Sequence, residues 1–251
     1  MTDWTTKLKK YRKSKADQYA KVIIDAPEKA SLYSTIRFPG VMMIMGDIRT
    51  GKTALAHDIA RQLHTRRNLP AILHLPTIQK EESKRIQGLL PKWMKVVSRF
   101  SEWGTKAVVI YDEAAQSAHS RRSQSGEAIE LDELLALAGQ RELLILFISH
   151  YSRKLDLNVC TSVHRIIWKR PTFAHQIWER DEMADFTGKA YDFFRGIKTD
   201  AMRKRTCLIL DMDNFGFYQA SNKLPPWWTD DISKLFKNHS AIKRKKGGIY
   251  E

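Results

Sequence analysis

Residues 41–59 read VMMIMGDIRTGKTALAHDI. An apolar run ends at Gly46, four residues intervene, and Gly51, Lys52 and Thr53 follow. That is the spacing G-x-x-x-x-G-K-[ST] of a phosphate-binding loop. Gly46 and Gly51 let the backbone turn tightly and aim its N–H groups inward as an anion nest. The helix that follows adds the positive end of its dipole. Lys52 would reach the β and γ phosphates, and the Thr53 hydroxyl would hold Mg²⁺. The candidate nucleotide-binding set is Gly46, Asp47, Ile48, Arg49, Thr50, Gly51, Lys52, Thr53 and Ala54. The context supports the motif. Val41–Met45 is an apolar run that predicts a buried strand. Leu55, Ile59 and Leu63, at i, i+4 and i+8, predict a helix over 53–63. Arg49 stands where many such loops carry glycine. A local ion pair, a contact with a neighbouring subunit and a solvated side chain are its three open readings.

Farther along, Ala107–Tyr111 (AVVIY) predicts a second buried strand, and it runs directly into Asp112 and Glu113. An apolar strand ending in acidic residues is a weak signal alone. Downstream of a phosphate loop it becomes the Walker B pattern. Asp112 would bind Mg²⁺ directly or through water, and Glu113 would act as general base on the attacking water. Glu directly after Asp argues for ATP hydrolysis, and no Asn-Lys-x-Asp guanine-reading motif is present. The most hydrophobic stretch, Leu143–Ile148 (LLILFI), predicts a third strand and ends in Ser149 and His150. A polar residue there can sense the γ phosphate. His150 is the first candidate and Ser149 the second, against a purely structural histidine.

The chain has 251 residues, 43% of them hydrophobic, enough for a core of one large domain. Lys and Arg number 43 against 28 Asp and Glu, a formal charge of +15. That balance points to a polyanion, nucleic acid first, with a merely solvated basic surface as the alternative. KLKKYRKSK at 7–15 is a basic arm that either tracks phosphates or forms a flexible tail, and KRKK at 243–246 is a second basic stretch. A Ser- and Arg-rich stretch over 114–130 suits either a loop that touches a phosphate backbone or a plain surface loop. Cys160 and Cys207 are too few and too far apart for a disulfide framework or metal spacing, and they read as reduced core residues. No run approaches the length of a membrane span, and residues 1–20 are too polar for a signal peptide.

Other readings are coarser. Val22–Ile24 and Ala71–Leu75 predict short strands, and Phe38–Gly40 a turn. Residues 81–99 predict a helix broken at Pro91, and 131–138 a helix. His164–Lys169 predicts a strand. Residues 176–194 predict a helix that Gly188 divides. Thr206–Asp211 and Phe215–Ala220 predict a hairpin. After Pro225–Pro226, Thr229 predicts an N-cap, with Ile232, Leu235 and Phe236 on one helical face. Trp227 and Trp228 read as packing anchors in preference to base-stacking platforms.

The order of phosphate loop, Asp-Glu strand, Ser/Arg-rich loop, helix, Gly-Gln-Arg at 139–141, apolar strand and polar terminus resembles the FtsK–HerA group of motor ATPases. It looks most like the compact genome-packaging ATPases of tailless, membrane-containing viruses. The resemblance covers about 38–170, and WWTDDIS at 227–233 is similar to their closing helix. It implies an α/β fold, a RecA-like P-loop NTPase of the ASCE type, with a mostly parallel sheet flanked by helices and a C-terminal hairpin and helix. It divides the chain into a basic arm and lead-in at 1–37, an ATPase domain at 38–240 and a basic tail at 241–251. It implies ATP and Mg²⁺ as ligands, with Lys52, Thr53, Asp112 and Glu113 in the roles given above. His150 occupies the place where the group usually has an amide. A trans arginine finger is implied, with Arg141 as the carried-over residue and Arg153 and Arg165 as alternatives. The implied partners are double-stranded DNA, further copies of the chain in a ring, a hexamer suspected, and a capsid vertex or inner membrane layer. The implied location is the host cytoplasm or a packaging vertex of the virion. The function this implies is ATP-driven translocation of duplex DNA. A DNA-stimulated helicase, loader or transposition partner, and a nucleotide-gated binder with little turnover, are the rival expectations.

Overall fold

The computed structural model describes Lys10 and residues 27–75, 78, 80–112, 126–155 and 157–233. The basic arm, the 22–24 strand, Glu113, most of the Ser/Arg-rich stretch, Leu235, Phe236 and the basic tail lie outside the described residues.

Nine strands form one sheet among the described residues: β1 (Glu28–Lys29), β2 (Gly40–Gly46), β3 (Ala71–His74), β4 (Met94–Val97), β5 (Ala107–Asp112), β6 (Leu143–Ile148), β7 (Arg165–Lys169), β8 (Thr206–Asp211) and β9 (Phe217–Ser221). Their spatial order is β1-β9-β8-β7-β2-β6-β5-β3-β4. From β4 to β7 every pairing is parallel. β8 then runs antiparallel to β7 and forms the expected hairpin with β9, and β1 pairs in parallel with β9. β2, β5 and β6 are buried at every position, because helices cover both faces and each strand must be apolar throughout. β6 lies between the phosphate-loop strand β2 and the Asp112 strand β5.

Alternation along each strand sends side chains to two separate cores. Val41, Met43 and Met45 of β2 join Val109, Phe147, Trp168 and the helix residues Leu134, Phe186 and Phe194 on one face. Met42 and Ile44 join Leu55, Ile59 and Leu63 on the other. These last three lie on the helix Lys52–Arg67, which begins one residue before and ends four after the predicted span.

Two expectations are corrected. Residues 81–99 are not one broken helix. A helix spans Lys80–Leu89, but beyond Pro91 the chain becomes β4, where Val96 and Val97 favour extended backbone and the edge of β3 supplies hydrogen bonds. Nor does Gly188 divide a helix. The break falls at Glu179 and Arg180, between the helices Phe173–Trp178 and Asp181–Arg195. Gly188 lies inside the second, where a Cβ would stand 2.6 Å from the Gln176 amide nitrogen, so the glycine serves close helix packing. The helix predicted at 131–138 spans Gly126–Leu137, starting inside the Ser-rich stretch. Trp227 and Trp228 pack against the second core, in line with the anchor reading.

Candidate nucleotide site

The register of three strands builds the site. Ile44 of β2 is level with Ile148 of β6, which is level with Asp112 of β5. Gly46, Ser149–His150 and Asp112 therefore emerge together at the carboxyl end of the sheet, where parallel α/β folds bind ligands. The turn that follows β2 holds Gly46 at φ 139°, Arg49 at φ 60° and Gly51 at φ 89°. Left-handed residues spaced this way turn successive N–H groups inward. The Arg49 position is thus one that glycine occupies without strain, which explains the preference for glycine there. At Gly46 no other residue fits, because a Cβ would lie 1.8 Å from the Lys169 carbonyl oxygen of β7.

Lys52, 8% exposed, donates from Nζ to the carbonyls of Gly46 at 2.8 Å and Asp47 at 2.7 Å. The Thr53 hydroxyl donates to Asp112 Oδ2 at 2.8 Å. The phosphate loop and the end of β5 therefore share one site. A hydroxyl and a carboxylate side by side, with Asp112 only 2% exposed, make the hard oxygen donor set that magnesium prefers. Thr53 and Asp112 are the residues that would hold it.

No protein-family model matches the chain, and no curated protein matches it in sequence. Solved structures do match in fold. The DNA-packaging ATPase B204 of Sulfolobus turreted icosahedral virus aligns with a TM-score of 0.52 at 14% identity, covering 76% of this chain and all 100% of that one. The genome-packaging NTPase B204 of Sulfolobus turreted icosahedral virus 2, in complex with ATP-gammaS, aligns with a TM-score of 0.52 at 15% identity, covering 74% and 98%. The chain has the RecA-like P-loop NTPase fold.

Within that fold the remaining predicted residues separate by position. His150 sits at the end of the strand between β2 and β5, its Nδ1 3.2 Å from the Gly46 carbonyl and 3.4 Å from Lys52 Nζ. Burial, then the positive charges of Lys52 and Lys154, pull its pKa from 6.5 to about 4, against the Gly46 carbonyl. The imidazole is neutral at pH 7. It then offers one donor and one acceptor. Ser149 turns its hydroxyl to the Tyr151 carbonyl at 2.8 Å.

Arg141 precedes β6 and so lies at the amino end of the sheet, away from the phosphate loop of its own chain. Arg165 opens β7 at that same end. Its guanidinium is committed to Asp211 at 2.7 Å and Asp213 at 2.8 Å, so it does not suit a finger. Arg153 follows β6 at the carboxyl end, half exposed, with Asp181 3.8 Å away. Glu113 follows Asp112 outside the described residues.

Sequence reasoning missed a second histidine. His175, 3% exposed, accepts at Nδ1 from Thr172 and stacks on Tyr151 with centroids 4.4 Å apart. Burial lowers its pKa, while Asp47 and the Gly46 carbonyl oppose the shift. Nearby, Glu179 is 2% exposed and accepts from the Ser152 backbone N–H at 3.0 Å, pinning the segment after β6. Neither residue belongs to a local motif. Only the pairing of β7 beside β2 brings them to the site.

Proposed function

We propose that the chain is an ATP-hydrolysing motor that moves double-stranded DNA, and that it packages a viral genome. The observation that carries the hydrolase reading is the Thr53–Asp112 hydrogen bond at 2.8 Å, beside a buried Lys52. The DNA reading is supported by the +15 charge and by a fold shared with proteins described as DNA-packaging ATPases.

In this reading the loop N–H groups and Lys52 bind the β and γ phosphates, and Thr53 and Asp112 hold the metal. Bound magnesium neutralises phosphate charge as it develops. Glu113 takes a proton from the attacking water, and His150 orients that water or registers the γ phosphate. Copies of the chain form a ring, where Arg141 or Arg153 reaches the nucleotide of a neighbour. The 114–130 stretch and the terminal basic segments hold the DNA backbone without reading sequence, as a pump for any sequence requires. The motor works in the host cytoplasm or at a packaging vertex, beside capsid or inner membrane.

The test measures ATP turnover with and without duplex DNA, together with displacement of a third-strand oligonucleotide bound in the groove of the intact duplex as the motor advances. The expected result is turnover raised by duplex, directional displacement, and DNA binding that weakens steeply with salt. Turnover indifferent to duplex, with salt-independent binding, overturns the motor reading. Strand separation in place of displacement would make the chain a helicase.

A further inference from the structure

The phosphate grip is blind to the base: N–H groups and a lysine read charge alone. A cleft of about 160 Å³ opens directly off the loop. On one side it is lined by Arg49, Thr50 and Ala54, and on the other by Trp228, Ile232 and Ser233. Its size suits one heterocycle, below the range for drug-sized ligands. Trp228 is half-buried, and its placement is fixed from behind. The His57 ring meets it edge-on with centroids 5.3 Å apart, and the Trp228 backbone N–H donates to the Pro225 carbonyl at 2.9 Å. Ile232, 2% exposed, anchors the same short segment in the core. An immobile indole beside the phosphates is a stacking surface whose ordering cost is already met by the fold.

We infer that Trp228 is the base wall of the nucleotide site, which accepts a purine nucleotide by stacking the base on the indole while the phosphates lie in the 46–53 loop. This assignment rests on the nucleotide reading given above. It gives the closing segment a task besides packing: the strand-to-helix unit grips the phosphates, and a segment about 175 residues downstream selects the base (228 against 53). Aromatic stacking of a base is worth about 1–3 kcal/mol, so its loss costs roughly 5- to 150-fold in affinity.

The test titrates the full chain with ADP, CDP and base-free pyrophosphate by calorimetry, in wild type, Trp228→Ala, Trp228→Phe and Lys52→Ala. Expected is an ADP preference over CDP in wild type. Trp228→Ala should lose roughly 5- to 150-fold for ADP with pyrophosphate affinity intact, and Trp228→Phe should retain most ADP affinity. ADP binding unchanged in Trp228→Ala overturns the base wall while leaving the phosphate loop standing. Parallel loss of ADP and pyrophosphate in Trp228→Ala shows a structural defect and also overturns it. Full pyrophosphate and ADP affinity in Lys52→Ala defeats the underlying phosphate-loop reading, and the base wall with it.

Discussion

The two ends of the sheet both bury charge, and they treat it differently. At the amino end, Arg165 meets Asp211 and Asp213 and also donates to the His164 carbonyl at 2.7 Å, while Arg37 joins Asp213. Asp211 further accepts from the backbone of Asp213 at 2.8 Å and Asn214 at 3.1 Å. Charge there closes on opposite charge. At the carboxyl end, the partners of Lys52 include two neutral carbonyls, and those of Asp112 include a hydroxyl. Hydrogen bonds to neutral oxygens are weaker than those an ammonium would make to phosphate or a carboxylate to a metal. The first cluster holds the fold, and the second is suited to bind.

Deleting one member of each cluster separates the two roles. Arg165→Met should have the largest effect, about 3 kcal/mol of stability by denaturant unfolding, because it strands the buried Asp211 carboxylate. Turnover per folded molecule should not change, and a loss of turnover without loss of stability would erase the contrast. Lys52→Ala should act in the opposite sense. ATP turnover should fall roughly 10²- to 10³-fold, the scale of one preorganised charge-stabilising group, with the unfolding midpoint nearly unmoved.

Acid gives a smaller effect that bears on a third kind of burial. His57 and His74 are 0% and 1% exposed, and burial lowers their pKa values to about 4 and about 3. His74 accepts from Trp103 Nε1 at 2.9 Å and stacks on Phe100 and Tyr111. Below pH 6.5 the unfolded chain takes up protons that the folded chain refuses, so stability is full above that pH and declines as pH falls toward 4. At pH 5 each should cost about 2 kcal/mol. An unfolding midpoint flat between pH 7 and 5 would contradict neutral burial. The smallest effect belongs to Gly188→Ala. The new Cβ meets only the flexible end of Gln176, and alanine favours the helix, so stability should stay within about 1 kcal/mol. A large loss would show that Gln176 cannot give way and that the close helix packing at Gly188 is required.

Legibility followed the strength of local patterns. β2, β5, β6 and β7 were readable because strands covered on both faces are uninterrupted apolar runs. The hairpin was readable from two such runs and a polar turn. β4 was hidden because its four residues follow a helix and a proline with only Val96 and Val97 to mark them. β1, two exposed polar residues, exists only because β9 offers a partner. In the site, Gly46–Thr53 and Asp112 announce themselves by spacing. His175 and Glu179 do not, since their place depends on which strand neighbours which.

The backbone of β7 fills the space beneath Gly46, with the Lys169 ammonium below it held by the carbonyls of Lys204 and Thr206 and by Asn222. The turn above has a hard floor and cannot sag. A triphosphate bound there would therefore meet a receptor already cast, with little of its binding free energy spent on shaping the loop. Any recoil of that loop is passed straight down into the strand where the sheet changes direction.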